Sequence, residues 1–567
     1  MRDFAVVFGT SFATVEEAGA AFSRDYWTFY PRERALFNYY PGGAAHAGIH
    51  DGDGRVADYR PEAVAQRLRA VEAWQGALAT LDARASTPGD RRDLAILRWV
   101  AGAEHFTLTE IRPHRTVPGH YADTVDISGY LRRDYAPLAE RLTALATHLD
   151  LIPDALAVAQ RNLDTPIAAA QLDNARASFS GHAAFIGESL AGLVARCLDA
   201  ALRARIARAA ERAVAALRAF DRFLTGKSAQ ATEADFAFGT ARFTGLLRAF
   251  DLVDLPLDEV RRHGQADLDR NLAMLKEWCA RIDPRADPRD VVARLALDHP
   301  AADGLVGAAE STLEALRDFT IARDLVGVPS EVRCDVSEIP VYYKWAFAMM
   351  DYPGAFEPES AGAHFWMNSP DPAWPAADQE AWLRRFFHAS IVNTSAHEAY
   401  PGHFVQSMHN RRAPSAIAKS FGSFTHWEGW AHYIEELILD EGYGDGDPAL
   451  RVAQLQAAIL RNARYLAAIG LHCDGMTVAE ATKLIADSTL LAGLPAEREA
   501  LRGTFDPGYG SYALGKLMIR KLRSDVEGEA GADFSLRAFH DNLLGHGGPP
   551  FAILRPLLLR EDDGQVL

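Results

Sequence analysis

Cysteine is scarce in this sequence, and no two cysteines form a CxxC pair. Four are present among 567 residues, at Cys197, Cys279, Cys334 and Cys473. Widely spaced cysteines of this kind are typical of a reducing compartment, where they stay as thiols and are buried as small hydrophobic side chains. We therefore expect no disulfide framework.

Positive charge is also in deficit. Lysine and arginine total 59 residues against 76 aspartates and glutamates, which gives a formal net charge of −17. No cluster of lysine and arginine extends beyond a single helix face. This balance argues against a nucleic-acid partner and in favour of solubility.

The N-terminus lacks the features of a secretion signal. It contains Asp3, Glu16 and Glu17 and has neither a basic start nor a long apolar run. No apolar run elsewhere reaches membrane-spanning length. We predict a soluble cytoplasmic protein without a membrane partner, and the sequence leaves a homodimer open.

Linker-like sequence is absent as well, although 567 residues would be enough for several domains. No tract rich in Ser, Gly or Pro reaches linker length, and no internal repeat has a solenoid period. Apolar residues recur at three- and four-residue steps in the segments from Pro61 and from Leu202, which predicts long helices. We predict a mostly helical N-terminal region, 1–330, and a catalytic region, 331–567, within one continuous domain.

The composition changes near Pro329. Segments 330–356 and 363–370 are dense in Val, Tyr, Phe and Trp between Pro and Gly breaks, a pattern that predicts short strands. Helical patterns resume over roughly 373–412, 415–439 and 449–470. We therefore predict a mainly α fold with a small β-sheet just before the segment that contains His397.

The segment SAHEAYPGHFVQ, residues 395–406, suggests a distorted metal site. Zinc peptidase helices usually carry HExxH with the histidines four apart, whereas His397 and His403 are six apart. On a regular helix a six-residue step misses by about 120°, so the two imidazoles converge only if the helix is irregular. Pro401 and Gly402 favour such an irregularity. The alternative is two unrelated histidines beside a kink.

The helix FTHWEGWAHYIEELIL, residues 424–439, offers a third ligand. Glu428 lies beside Trp427 near the edge of a buried face, where an unpaired carboxylate is very costly. Zinc held by two histidines and one glutamate keeps a fourth position for water, as in catalytic sites. His432 and Glu435 follow at one and two turns, and we predict that they hold the ligating imidazoles in place.

The motifs HEAYPGH and EGWAHYIEE resemble the bacterial family catalogued as domain of unknown function 885. The resemblance extends over most of the chain and includes YPGGAAHAGIHDGDGRVADY, VYYKWAF, FWMN and FHDNLLGHGG. The stretch GYGSYALGKLMIRKLR, from Gly508, is similar to the Tyr-x-x-Gly segment of the thermostable zinc carboxypeptidases. Those enzymes belong with thimet oligopeptidase and angiotensin-converting enzyme, from which this sequence differs in the spacing of His397 and His403.

The resemblance implies a large, two-lobed, oligopeptidase-like helical fold with a deep cleft. It also implies a zinc-dependent metallopeptidase that hydrolyses short peptides. One zinc ion, or another divalent metal, would be held by His397, His403 and Glu428. Glu398 would be the general base, and Tyr512 would stabilise the transition state. Two other functions stay open: a metal-dependent hydrolase of a non-peptide amide or ester, and a non-catalytic helical binding protein with a vestigial metal site.

Further residues are predicted to contact the peptide substrate. The FWMN strand would pair with the substrate backbone as an added strand. One basic residue after Tyr512 would bind a C-terminal carboxylate, although basic residues late in a helix also complement its dipole. The predicted substrate-binding residues are Phe365, Trp366, Asn368, Tyr509, Lys516 and Arg520.

A loop rich in glycine and histidine, residues 39–58, contains a second group of candidate metal ligands. These are His46, His50, Asp51 and Asp53. Residues of this kind are more often simply part of a turn, and we interpret the loop in that way.

Overall fold

The computed structural model describes residues 11–31, 47–132, 134–163, 166–228, 236–340, 344, 347–357, 362–490 and 493–567. Over these ranges the fold is mainly α-helical with one small sheet, as the sequence predicted. The sheet also precedes the helix that carries His397, as predicted.

The helices of the first part of the chain are α1 (Val15–Phe29), α2 (Pro61–Ala79), α3 (Pro88–Phe106), α4 (Pro113–Thr116), α5 (Gly129–Arg132), α6 (Leu138–Asn162), α7 (Ala169–Ala184), α8 (Leu190–Leu193), α9 (Ala200–Ser228), α10 (Thr240–Asp251), α11 (Leu257–Ile282), α12 (Pro288–Leu295) and α13 (Leu305–Ala322). Those that follow the sheet are α14 (Ala376–Leu383), α15 (His388–Glu398), α16 (His403–Arg411), α17 (Ala416–Ser420), α18 (Phe424–Asp440), α19 (Pro448–Cys473), α20 (Val478–Thr489), α21 (Leu494–Phe505), α22 (Ser511–Ala530), α23 (Leu536–Gly545) and α24 (Phe551–Leu558).

Local sequence signals explain where several helices begin. Pro61 occupies the first turn of α2, where the missing N–H has no helical partner to lose. Thr87 caps α3 in a reciprocal capping box with Asp90. Ser423 caps α18 by accepting from the His426 N–H, and this cap fixes the start of the helix that carries Glu428.

The sheet has three strands, β1 (Cys334–Glu338), β2 (Ala348–Asp351) and β3 (Ala363–Met367), in the order β1-β3-β2. Strand β1 is parallel to β3 and β2 is antiparallel to it, so that Phe365 pairs with both Val336 and Met350. Strand β3 is therefore central, and β2 is an edge strand. Most of the predicted VYYKWAF strand lies outside the described residues.

Two hydrophobic cores account for most of the buried apolar side chains. The smaller core is built largely from α1 to α9, together with side chains of α17. The larger core includes the sheet and the helices from α10 onwards. It contains residues on both sides of position 330, for example Leu313 and Ile459. The division of the chain at that position stays a prediction.

Helix α6 corrects one expectation from the sequence. Among the described helices it alone is long and apolar enough to cross a membrane, by length and composition. Its buried face, which includes Leu145 and Leu149, belongs to the smaller core. Of its apolar window, 44% is buried inside the fold.

Candidate functional site

The predicted irregularity between the two histidines is a complete break between helices. Helix α15 ends at Glu398, and α16 begins at His403 after a cis Tyr400–Pro401 peptide bond. Gly402 packs directly on the backbone of α15: a Cβ built there would lie 1.8 Å from the His397 carbonyl oxygen. Only a residue without a side chain fits this contact, and the break sets the positions of both imidazoles.

Replacing Gly402 with alanine is expected to destabilise the protein, because a methyl group there would overlap backbone atoms that have no room to move. We expect a loss at the upper end of the roughly 1–3 kcal/mol typical of overpacking, measured by denaturant unfolding. The control is Gly76→Ala in α2, where no atom lies within 4 Å of the new Cβ. That change should stabilise by about 0.5–1 kcal/mol. Equal stability of the two variants would contradict the close contact.

The structure brings His397, His403 and Glu428 together. One candidate ligand atom from each lies within 4.8 Å of the others, and this is the one such group of three found among the described residues. Oε2 of Glu428 lies 3.3 Å from His397 Nε2 and 3.6 Å from His403 Nε2. The same oxygen is buried without a well-formed hydrogen bond. Three ligand atoms around a common centre could hold a metal ion.

The electrostatics of this group favour a positive charge at its centre. Burial opposes the imidazolium form, yet Glu428 and Glu435 raise the pKa of His397 to about 9. Burial likewise opposes the charged form of Glu428, yet the two imidazoles lower the pKa of its carboxyl far below the usual range. A bound cation would supply the charge that these carboxylates stabilise.

On the side away from the candidate ligand atoms, both histidines have buried partners. Nδ1 of His397 lies 2.7 Å from Glu435 Oε1. Nδ1 of His403 faces the side-chain oxygen of Gln406 at 3.3 Å. Glu435 therefore orients His397 directly, whereas the predicted partner His432 contacts Glu435 at 3.2 Å and acts one step further away. Such partners fix the ring orientation of metal-binding histidines.

Arg461 of α19 completes the surroundings of His397. Its guanidinium lies 2.8 Å from Glu435 Oε1 and 3.3 Å from His397 Nδ1. Burial would raise the pKa of Glu435, but Arg461, His432 and His397 lower it well below its usual value. Glu435 is thus held as a carboxylate although it is fully buried.

A close crossing of two helices brings Tyr512 to this site. At the crossing of α18 and α22, a Cβ on Gly515 would lie 2.0 Å from the Thr425 carbonyl oxygen, and one on Gly429 would lie 2.5 Å from Gly515 Cα. The backbones can touch because both positions are glycine. Glu428 precedes one glycine and Tyr512 lies one turn before the other, so the crossing sets their separation.

Tyr512 faces the candidate metal group across a short distance. Its ring centre is 6.5 Å from that of His397, and the Arg461 guanidinium lies 5.4 Å from the Tyr512 ring centre. Its hydroxyl makes no hydrogen bond to any residue that the structure describes. Burial and then the charge of Glu428 raise the pKa of Tyr512 to about 12, so the phenol is protonated and can donate a hydrogen bond.

Glu398 lies between the metal group and the sheet. Burial raises the pKa of its carboxyl, while His397, His403 and the backbone N–H of Met350 act in the opposite direction. The Asn368 N–H donates to the Phe347 carbonyl. By the alternation of an antiparallel pair, the N–H and C=O groups of Met350 therefore point away from β3. The edge of β2 that pairs with no described strand consequently faces Glu398, and the Met350 N–H on that edge donates to the Glu398 carboxylate.

The FWMN strand does not take the predicted position. Phe365 and Trp366 lie on β3, whose two edges are already paired with β1 and β2, so no substrate strand can add to it. Asn368 is also buried, and its side chain donates to the Lys344 carbonyl. Among the described residues, the strand near the candidate site with one edge unpaired is β2.

The predicted substrate residues near Tyr512 are also placed elsewhere. Tyr509 is fully buried, with its hydroxyl packed against Gly503. Lys516 is fully buried and lies 2.8 Å from Glu436 and 3.5 Å from Asp267. Arg520 is exposed, but it lies about 12 Å along α22 from Tyr512 and 3.6 Å from Glu436. The structure therefore brings none of these three side chains to the metal group.

The second candidate metal site has no comparable geometry. His46 lies outside the described residues. His50 stacks on Tyr135 with ring centres 4.5 Å apart, and its Nδ1 is 3.5 Å from Asp53. The described residues of this loop form no group of three converging ligands.

Sequence reasoning missed Arg461, Gln406 and the glycine crossing. A signal existed for each. Arg461 interrupts an apolar helix, where a charge needs a partner. Gln406 follows His403 by one turn. Gly429 and Gly515 stand inside helical patterns, where glycine costs about 1 kcal/mol and indicates close packing.

Two solved structures share this fold over almost their whole length. The first, described as a "putative lipoprotein of unknown function" from Shewanella oneidensis, has a TM-score of 0.80 and 21% identity, and the match covers 97% of this chain and 100% of that one. The second, described as a "putative lipoprotein" from Colwellia psychrerythraea, has a TM-score of 0.79 and 16% identity, with coverage of 96% and 98%. At these identities the likeness establishes the fold alone.

The descriptions of these two structures overturn one prediction from the sequence. Both neighbours are described as lipoproteins, which are anchored to a membrane and are not cytoplasmic, and this finding contradicts the cytoplasmic location predicted from the sequence. An acidic composition reports on solubility, and the residues of the N-terminus report on one type of secretion signal. They carry no information about lipid attachment.

The remaining comparisons are with curated proteins, with a third solved structure and with a protein-family profile. No curated protein matches the sequence. An M32 carboxypeptidase from Deinococcus radiodurans R1 aligns over 97% of this chain and 91% of its own, at 10% identity and a TM-score of 0.35, too low to support an argument. The profile of the family described as "Bacterial protein of unknown function (DUF885)" matches residues 41–558, most of the sequence, and the chain therefore belongs to that family.

Proposed function

We propose that this protein is a zinc-dependent metallopeptidase that hydrolyses short peptides. The observation that carries the proposal is the convergence of His397, His403 and Glu428 beside Glu398. A purely structural zinc site closes its coordination with four protein ligands, whereas three ligands and a neighbouring carboxylate are typical of hydrolytic zinc sites.

The residues present fit a zinc ion. His397 and His403 would bind through Nε2, because their Nδ1 atoms face Glu435 and Gln406. Glu428 would bind through the buried oxygen that lacks a well-formed hydrogen bond. Two imidazoles and a carboxylate suit zinc, and other divalent ions accept the same donors.

When bound, the ion would polarise a substrate carbonyl and acidify a water molecule. Glu398 would accept the proton from the attacking water and deliver it to the leaving amine. A carboxyl whose pKa is raised by burial is suited to both steps. The Tyr512 hydroxyl, which has no partner among the described residues, would donate to the carbonyl oxygen as that oxygen gains negative charge.

The free edge of β2 favours a peptide over a non-peptide amide or ester. On the side that faces Glu398, Ala348 presents its backbone N–H and C=O groups and Met350 presents its C=O, while the Met350 N–H donates to Glu398. An extended peptide can add to such an edge through its own main chain. A small ester or amide without a peptide backbone cannot form this series of main-chain hydrogen bonds.

Replacing Glu435 with glutamine is expected to weaken zinc binding by about 10- to 100-fold, because His397 loses its charged partner while the shape of the side chain is kept. Zinc affinity is measured by competition with a chelator. The control is Glu436→Gln, the next residue of α18, which removes an ion pair with Lys516 of α22. It should lower stability and leave zinc affinity unchanged. Equal zinc affinity in wild type and Glu435→Gln would contradict the positioning role.

The proposed function is tested by incubating a mixed peptide library with zinc-loaded protein and with protein stripped by a chelator. Mass spectrometry identifies the products. We expect cleavage by the loaded protein only, restored when zinc is returned. An unchanged library after incubation with protein that contains one zinc per chain would contradict the proposal.

A further inference from the structure

Arg385 is an arginine that pairs with no carboxylate at ion-pair distance among the described residues. It lies in the turn after α14 and makes no side-chain hydrogen bond or ion pair within the part of the chain that the structure describes. Its guanidinium instead stacks over the Phe347 ring at 4.2 Å and lies 5.1 Å from the Trp382 ring. Because aromatic faces orient a guanidinium without neutralising it, the charge is held in place and stays available.

The residues around Arg385 connect it to the surroundings of Tyr512. The side chain is exposed to solvent. Nevertheless, surrounding protein atoms desolvate it enough to lower the pKa of the guanidinium, with Glu499 acting in the opposite direction. Glu499 in turn forms a bidentate ion pair with Arg464, in which both hydrogen bonds are 2.8 Å long. The Arg464 guanidinium lies 5.9 Å from the Tyr512 ring centre, so Glu499 lies between the surroundings of Arg385 and those of Tyr512.

The contact between Arg385 and Phe347 indicates which end of a bound peptide would lie near Arg385. Phe347 immediately precedes β2, and Met350 of β2 faces Glu398. The distance from Met350 to Phe347 along an extended strand is about 10 Å. A peptide that lay antiparallel to β2, with its scissile bond at Glu398, would therefore direct its C-terminal side toward Arg385.

We propose that Arg385 binds a carboxylate of the peptide substrate, roughly two or three residues beyond the scissile bond. This inference rests on the proposed function, and it narrows the substrate to short peptides with a carboxylate near the cleaved bond. A free C-terminus and an acidic side chain supply the same chemistry. Arginine suits either one, because its planar fork can donate two parallel hydrogen bonds to a carboxylate.

Binding to zinc-loaded Glu398→Gln protein tests the inference without consuming the peptide. The probes are acetyl-Ala-Ala-Phe-Ala-Ala as the free acid, the same peptide as its amide, and an amide whose last residue is aspartate. Calorimetry should show that the free acid binds about 10- to 100-fold more tightly than the alanine amide, the effect of one charged hydrogen-bonded pair. Tight binding of the aspartate amide would identify a side-chain carboxylate as an equivalent source.

Three variants in the same background locate the effect. Arg385→Ala should remove the difference between acid and amide, and Arg385→Lys should retain part of it. Arg384→Ala is the matched control, because Arg384 is the adjacent arginine but is paired with Glu380 at 3.0 Å. It should keep the full difference. Equal binding of acid and amide, or a difference that survives Arg385→Ala, overturns the inference.

The outcome is separable from that of the proposed function. If the carboxylate preference is present and depends on Arg385, but wild-type zinc-loaded protein cleaves none of the probes or library peptides, the peptidase proposal fails while the binding site stands. If wild-type protein cleaves acid and amide at the same rate, the peptidase proposal stands and the carboxylate site fails. The length of the released fragment checks the predicted spacing.

Discussion

Glu398→Gln is expected to lower turnover of a cleaved peptide by on the order of 10²–10⁴-fold, the contribution of a general base. Glutamine keeps the shape of the side chain but cannot accept a proton from water. The neighbouring His397 and the N–H of Met350 should keep their positions, because the substitution changes no volume. The variant should therefore hold one zinc ion and bind peptide normally.

The measurement is the rate of peptide cleavage at saturating substrate, together with zinc content and the melting temperature. An appropriate control is Glu310→Gln, which makes the same change at an exposed glutamate of α13. The control should show wild-type rates. If folded, zinc-loaded Glu398→Gln retained full activity, another group would have to be the base.

Tyr512→Phe is expected to lower kcat by on the order of 10²–10³-fold with little change in KM. A hydrogen bond that forms only as the carbonyl oxygen gains charge contributes to the transition state and not to the bound ground state. Stability should be almost unchanged, because the Tyr512 hydroxyl makes no hydrogen bond to a described residue. Loss of activity in this variant would then report chemistry and not misfolding.

The matched control is Tyr509→Phe. Tyr509 precedes Tyr512 by three residues, but its hydroxyl is buried without a hydrogen-bond partner. Removing that hydroxyl should leave kcat unchanged and should not lower stability. Near-normal kcat in a folded, zinc-loaded Tyr512→Phe variant would reject the oxyanion role. A matching loss in Tyr509→Phe would indicate a structural effect on α22.

Local sequence signals predicted the part of the site that depends on chain geometry over a few residues. The six-residue separation of His397 and His403 required a break, and Pro401 and Gly402 indicated where it would be. The amphipathic pattern around Glu428 placed a carboxylate at the edge of a buried face. The structure brings these groups together. The predicted irregularity is a full interruption of the helix, so that α15 and α16 are separate helices.

Contacts between distant segments could not be predicted from local sequence signals. The strand pattern of β2 and β3 is alike, and only the tertiary order shows that β3 is central and β2 is the edge. Lys516 was predicted to bind substrate, yet α22 buries it against Glu436 and Asp267. Arg385 and Arg461 are far apart in sequence from Tyr512, and only the fold brings the three near one another.

The central claim is that His397, His403 and Glu428 hold one zinc ion. The most direct measurement is a calorimetric zinc titration of chelator-stripped wild-type protein, of His397→Ala, and of His388→Ala as a control for an exposed histidine on the same helix. We predict one site per chain in the wild type and in His388→Ala. In His397→Ala the affinity should fall by more than about 100-fold, beyond the loss expected for a partner behind the ligands. A folded His397→Ala protein that binds one zinc ion with wild-type affinity would contradict the account.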